Sequence, residues 1–199
     1  MKTQCSTADH AYSRAVISQL EKKKPVARAI VEKGFFNTLL SIPKKSSRDV
    51  QLYLEYFDAD SHVLSKMLLV ALQTQNYEIF EVLQEHGAQP TRHAHALLKA
   101  AALQMSSVTA LEYLLQHGLT AESDGLQTFE TCVNEHLCDM LRIFLYTSKN
   151  THKLCLYGLK KSIEKKDIDL SEYFLALMDQ KDVPKSLREK YVHLVLAER

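Results

Sequence analysis

Apolar residues recur three and four positions apart along most of the chain, with polar residues between them, which is the signature of helices that bury one stripe. Between Ala11 and Leu20, the positions Ala15, Val16 and Leu20 fit one helical face. Lys22–Lys24 and Pro25 stop that helix, and Pro25 suits the first turn of the next, where Val26, Ala29 and Ile30 continue the spacing. Gly34 interrupts, Phe35, Phe36, Leu39, Leu40 and Ile42 follow, and Pro43 ends the segment, leaving Lys44–Ser47 as the linker candidate. From Asp49 to Phe57, the density of Val50, Leu52, Tyr53, Leu54, Tyr56 and Phe57 predicts a helix largely surrounded by protein. Asp60 or Ser61 can cap the next helix, which is strongly apolar from Val63 to Leu72. Strand-like alternation is missing. The first ten residues read as a flexible arm, and 11–199 as a single helical domain.

The pattern also repeats. Glu81-Val82-Leu83-Gln84-Glu85-His86-Gly87 and Glu112-Tyr113-Leu114-Leu115-Gln116-His117-Gly118 match at an offset of 31, with Phe80 and Leu111 aligned ahead of them. His86 and His117 fall where a helix presents unsatisfied carbonyls, and Gly87 and Gly118 where a left-handed residue ends it. One further step reaches Ile143-Phe144-Leu145-Tyr146, but Lys149 takes the glycine slot. Weaker units lie around Ser162–Leu175 and Ala29–Leu40, giving about five helix pairs, the best matched being 65–90 and 94–121.

Ala71-Leu72-Gln73-Thr74-Gln75-Asn76-Tyr77-Glu78-Ile79-Phe80-Glu81-Val82-Leu83, followed by Gln84-Glu85-His86-Gly87-Ala88-Gln89-Pro90, resembles an ankyrin repeat, and Ala100-Ala101 with Leu111–Gly118 resembles the next. The resemblance is good over Met67–Gly118 and weak elsewhere. The family's Thr-Pro-Leu-His start is absent, with Ala94-His95-Ala96-Leu97 near its place, and the stretch from Gly87 to Ala100-Ala101 is short. The resemblance therefore implies an all-α fold: a short α-solenoid of about five stacked helix pairs, ankyrin-like with reduced β-turn fingers. It further implies protein binding through a concave face, with no catalysis and no cofactor.

Composition narrows the alternatives. Five glycines and four prolines in 199 residues leave few turns. With 25 Lys and Arg against 24 Asp and Glu there is no overall field for nucleic acid or an anionic membrane, and lysine runs such as Lys160–Lys161 and Lys165–Lys166 read as solvated helix ends. No stretch approaches the length of a membrane span, and Met1–Tyr12 lacks the apolar core of a secretory signal. The expected location is cytoplasmic, in the protein's own cell or in a host cell if it is exported by a signal-less route.

The sharpest chemical constellation is Cys132-x-x-x-His136-x-Cys138 with His152-x-x-Cys155 downstream. At i, i+4, Cys132 and His136 would share a helix face, and three thiols with an imidazole could bind zinc or supply a nucleophile. The Cys-x-x-Cys pair is missing, and Cys138 and Cys155 stand in apolar strings, so core packing is the favoured reading. Asp58/Asp60 and Asp167/Asp169 read as helix caps. The tyrosines, spread over several helices, read as core edge.

The sequence thus points to a non-catalytic adaptor or effector that binds another protein. Gln73, Gln75, His93, His95, Gln104 and Ser106 are the candidate contacts. An enzyme or zinc-dependent protein built on Cys132, His136, Cys138 and Cys155 is the alternative. Self-association through the apolar positions of Leu187–Leu196 is a further partner reading.

Overall fold

A computed structural model describes residues 15–19, 47–56 and 61–197. The expected N-terminal arm, the helix opened by Pro25, the weak unit at 29–40, nearly all of the linker and the Asp58/Asp60 pair lie outside the described residues. Those described form an all-α protein: helices and turns, with no strand among them. The chain divides into two compact units, Met1–Ala100 and Ala101–Arg199.

In the first unit, α1 (Ser47–Tyr56) is followed by α2 (Ser61–Gln73), α3 (Tyr77–Glu85), a 3-10 turn (Pro90–His93) and α4 (Ala94–Lys99). The α2 and α3 helices pack as an adjacent pair, α1 lies against α3, and α4 against α2. Met67, Leu68, Leu72, Ile79 and Phe80 are fully buried between them. The α1 helix buries one face rather than its whole circumference: Val50, Tyr53 and Leu54 are inside, while Gln51 and Glu55 are exposed. Its apolar density overstates its burial because polar residues occupy the intervening positions.

The second unit holds α5 (Val108–Gln116), a 3-10 turn (Ala121–Asp124), α6 (Gln127–Asn134), α7 (Cys138–Thr147), α8 (Thr151–Glu164), α9 (Ile168–Ala176) and α10 (Lys185–Ala197). Here α6 packs on α7 and α8 on α9; α5 also lies against α7, α6 against α8, and α10 against α8 and α9. Phe129, Phe144 and Phe174 are buried at its centre. The α6 start is unusual, since Leu126 stands at the cap with no side-chain acceptor. Buried Asp124 takes over that role, accepting from the Thr128 N–H at 3.0 Å and from its hydroxyl.

The helix ends follow the sequence signals where the residues match. Gly87 and Gly118 are left-handed, with φ of 95° and 93°. The ring Nδ1 atoms of His86 and His117 lie 2.9 Å and 2.8 Å from the carbonyls of Val82 and Tyr113. Each imidazole therefore adds a side-chain contact to a last-turn carbonyl that already accepts the histidine's own N–H, at 3.2 Å for Val82 and 3.1 Å for Tyr113. Without the glycine, α7 closes differently: Ser148 is extended, and the Thr147 and Thr151 hydroxyls donate to the carbonyls of Ile143 and Leu145.

Candidate interaction surface

Of the six candidate contacts, Gln73, Gln75 and His95 are exposed in the first unit, and His93 is half-buried at the junction of the 3-10 turn with α4. Gln104 and Ser106 are exposed in the second unit. Gln73 ends α2, and Gln75 lies in the tight turn that follows it. Gln104 ends a π-helical turn (Ala100–Gln104), and Ser106 lies in the matching turn before α5.

These turns belong to a series. Gln75, Ser106, His136 and Lys166 all have positive φ, at 56°, 46°, 55° and 61°, and they stand 31, 30 and 30 residues apart. Each is followed by the cap of the next helix, and the cap's N–H reaches back to close the turn: Asn76 to Ala71, Ser107 to Ala101, Leu137 to Cys132 and Asp167 to Ser162. The Ser107 bond spans one residue more than the others, which the π-helical turn accommodates. Asn76, Ser107 and Asp167 also accept a side-chain cap bond from Ile79, Ala110 and Leu170, confirming the capping role read for Asp167. Left-handed geometry disfavours side chains other than glycine, so four such residues in register mark one turn design used four times.

Adjacent tips can share a recess. In the second unit Ser106, His136, Cys138 and Met140 line a groove of about 320 Å³. His136 is held there by Asp167, whose Oδ2 pairs with its Nε2 while Oδ1 caps α9.

A second polar cluster was invisible in the sequence. The Tyr157 hydroxyl on α8 donates to Glu130 on α6 at 2.5 Å, and Lys161 Nζ lies 2.9 Å from the other Glu130 oxygen. Lys161 also sits 5.6 Å from the Tyr157 ring centroid. The bond from Tyr157, and then that from Lys161, lowers the Glu130 pKa; burial, and then the bond to Glu130, raises that of Tyr157. Tyr157 and Lys161 are four apart, a legible helical neighbour pair. Their shared acceptor stands 27 residues before Tyr157, and no local pattern announces it.

The cysteine group does not assemble as the spacing suggested. The α6 helix ends at Asn134, so His136 lies in the left-handed turn and shares no helix face with Cys132. Cys132 and Cys155 are buried, and burial pushes their thiols up to about 12 and about 11. Cys138 is exposed, contrary to the core position expected from its apolar string, because the buried ridge of α7 begins two residues later at Met140. His152 is exposed at the start of α8, away from buried Cys155. Among the described residues, no three His, Cys, Asp or Glu side chains converge on a metal-sized position.

This arrangement predicts thiol reactivity. Alkylation by iodoacetamide with peptide mapping is expected to label Cys138 in the folded chain, and Cys132 and Cys155 only after denaturation. Labelling of Cys132 as fast as Cys138 would contradict this core. Stability should also fall as pH rises above the ordinary thiol value of 9.0. The unfolded chain then releases thiol protons that the folded chain keeps until about 11 or 12.

No helix among the described residues is long and apolar enough to cross a membrane. Comparison with protein-family models, with curated proteins and with solved structures finds no match.

Proposed function

We propose that the chain is a non-catalytic protein-interaction module: a short α-solenoid of ankyrin-like helix pairs that binds a partner protein through its turn tips and first-helix faces. The observation that carries this reading is the register of the left-handed turns at Gln75, Ser106, His136 and Lys166. Packing within each unit supports it. First helices lie on first helices in the contacts of α2 with α4 and of α6 with α8. Second helices lie on second helices in the contact of α5 with α7. Units that stack this way bury a continuous core and leave a repeated polar surface for recognition. The 3-10 turns at Pro90–His93 and Ala121–Asp124 stand where ankyrin fingers would project, in keeping with reduced loops.

The enzyme or zinc alternative is weakened by geometry, since two of its three thiols are core residues with protons held tightly. Affinity capture from cell lysate, with mass-spectrometric identification, tests the module reading. Wild type is compared with a Gln73→Ala/His95→Ala/Gln104→Ala variant, whose changes fall on exposed side chains. A specific protein held by wild type and reduced about ten-fold in the variant, at unchanged melting temperature, is the expected result. No retained protein, together with a thiol-dependent activity abolished by Cys138→Ser, would overturn it.

A further inference from the structure

Along α8, Leu154, Cys155, Gly158, Leu159 and Ser162 are buried, so the helix presents the opposite face outward. That face carries Lys153, Tyr157, Lys160 and Glu164, four and three residues apart, and exposed Lys149 lies in the turn just before the helix. Lys153 and Lys160, both within α8, are separated by about 10 Å of helical rise. Among the described residues, Lys149 and Lys153 have no ion-pair partner, and Lys160 has Glu164 at 4.0 Å. Glu130 is already occupied by Tyr157 and Lys161.

The same lysines open onto a recess. Lys149 and Lys153 line a groove of about 630 Å³ with Gln116, Thr120, Ser148 and Phe144, and Glu122 is the one carboxylate in its wall. The groove thus joins an apolar floor to amide and hydroxyl groups and an excess of positive charge. Such a mixture suits a polypeptide, whose amides take the polar wall and whose carboxylates take the lysines. It suits a nucleic acid less well, because the face has no arginine and a single aromatic ring, and that ring's hydroxyl is committed to Glu130.

We propose that this face of α8 and its adjoining groove bind an acidic segment of a partner protein. The proposal rests on the interaction-module reading and adds the chemistry of the partner. Lys149, Lys153 and Lys160 pair with successive carboxylates, and the Tyr157 ring packs between them.

The test is fluorescence anisotropy with the full chain at low ionic strength. The probes are a labelled peptide of alternating glutamate and serine, the same peptide with glutamine for glutamate, and a short labelled oligo-dT. The acidic peptide is expected to bind about ten-fold more tightly than its glutamine counterpart. Lys149→Glu/Lys153→Glu/Lys160→Glu should remove that preference. Lys181→Glu/Lys185→Glu/Lys190→Glu, an equal charge change at other exposed positions, should leave it intact. Equal binding of both peptides, equal loss in both variants, or tighter binding of the oligonucleotide through the same lysines would overturn the proposal. Self-association abolished by the α8 variant would place a second copy there instead. A lysate partner captured equally by wild type and the α8 variant would leave the module reading standing and remove this one.

Discussion

Replacing Gly158 by alanine is expected to destabilise the fold by about 2 kcal/mol, although alanine is the better helix former by about 1 kcal/mol. Gly158 lies inside α8, where α8 packs against α9. A methyl group there would fall well inside contact distance of three Phe174 ring atoms. The ring has little freedom to retreat: Phe174 is fully buried, 5.5 Å from the Tyr173 ring and 6.5 Å from that of Phe129. A close-packed core meets such an insertion with strain, which here outweighs the gain in helix propensity. Urea unfolding followed by circular dichroism gives the magnitude. A Phe174→Leu change should rescue Gly158→Ala, so that the double variant is more stable than the two single losses added together. A Gly158→Ala chain as stable as wild type would mean that α8 and α9 do not approach this closely.

The largest loss is expected from Phe129→Ala, at about 4 kcal/mol. Phe129 is fully buried on α6 and touches three other helices. Its ring meets Phe144 of α7 edge-on at 5.8 Å and lies 6.3 Å from Tyr157 of α8 and 6.5 Å from Phe174 of α9. Truncation removes apolar burial and opens a cavity that four helices cannot close together. Tyr146→Ala is the control. That ring is 84% exposed on α7, and its removal should change stability by less than about 0.5 kcal/mol. Equal effects of the two substitutions in the same urea titration would contradict this core.

These two positions show what the sequence revealed and what it hid. Phe129 belongs to an ordinary apolar stripe, so its burial follows from helical spacing. Gly158 carries no such mark: an isolated glycine in a helix becomes meaningful only once the ring of Phe174, 16 residues later, is placed against it. His86–Gly87 and His117–Gly118 were legible because their tasks are local. The imidazole bonds a carbonyl four residues back, and the glycine takes a backbone shape that other residues resist. The other turn of each pair was not legible as a series. Gln75, Ser106, His136 and Lys166 share no side-chain chemistry and are left-handed because the closing backbone bond holds them there. Gln75 and Ser106 could be singled out as exposed positions, but not as members of a register that continues to His136 and Lys166.

For the cysteine group, the favoured core packing holds for Cys132 and Cys155, and the rest was not legible for a related reason. The i, i+4 argument for Cys132 and His136 holds only while the helix continues, and α6 stops between them. Cys138 looked apolar by its neighbours but lies ahead of the buried ridge of α7. On the candidate surface, the lysines of α8 were visible as charges in the chain. Which of them remain unpaired depends on Glu130, brought in from another helix.

The turn tips of each unit and, separately, the outward face of α8 are proposed to take part in recognition. Hydrogen–deuterium exchange of the full chain, with and without its captured partner, tests this most directly. Slowed exchange on binding is predicted at the turns around 73–76, 104–107 and 134–137 and along 149–161. Slowing confined to α10, or unchanged exchange at all of these segments in a saturated complex, would contradict the account.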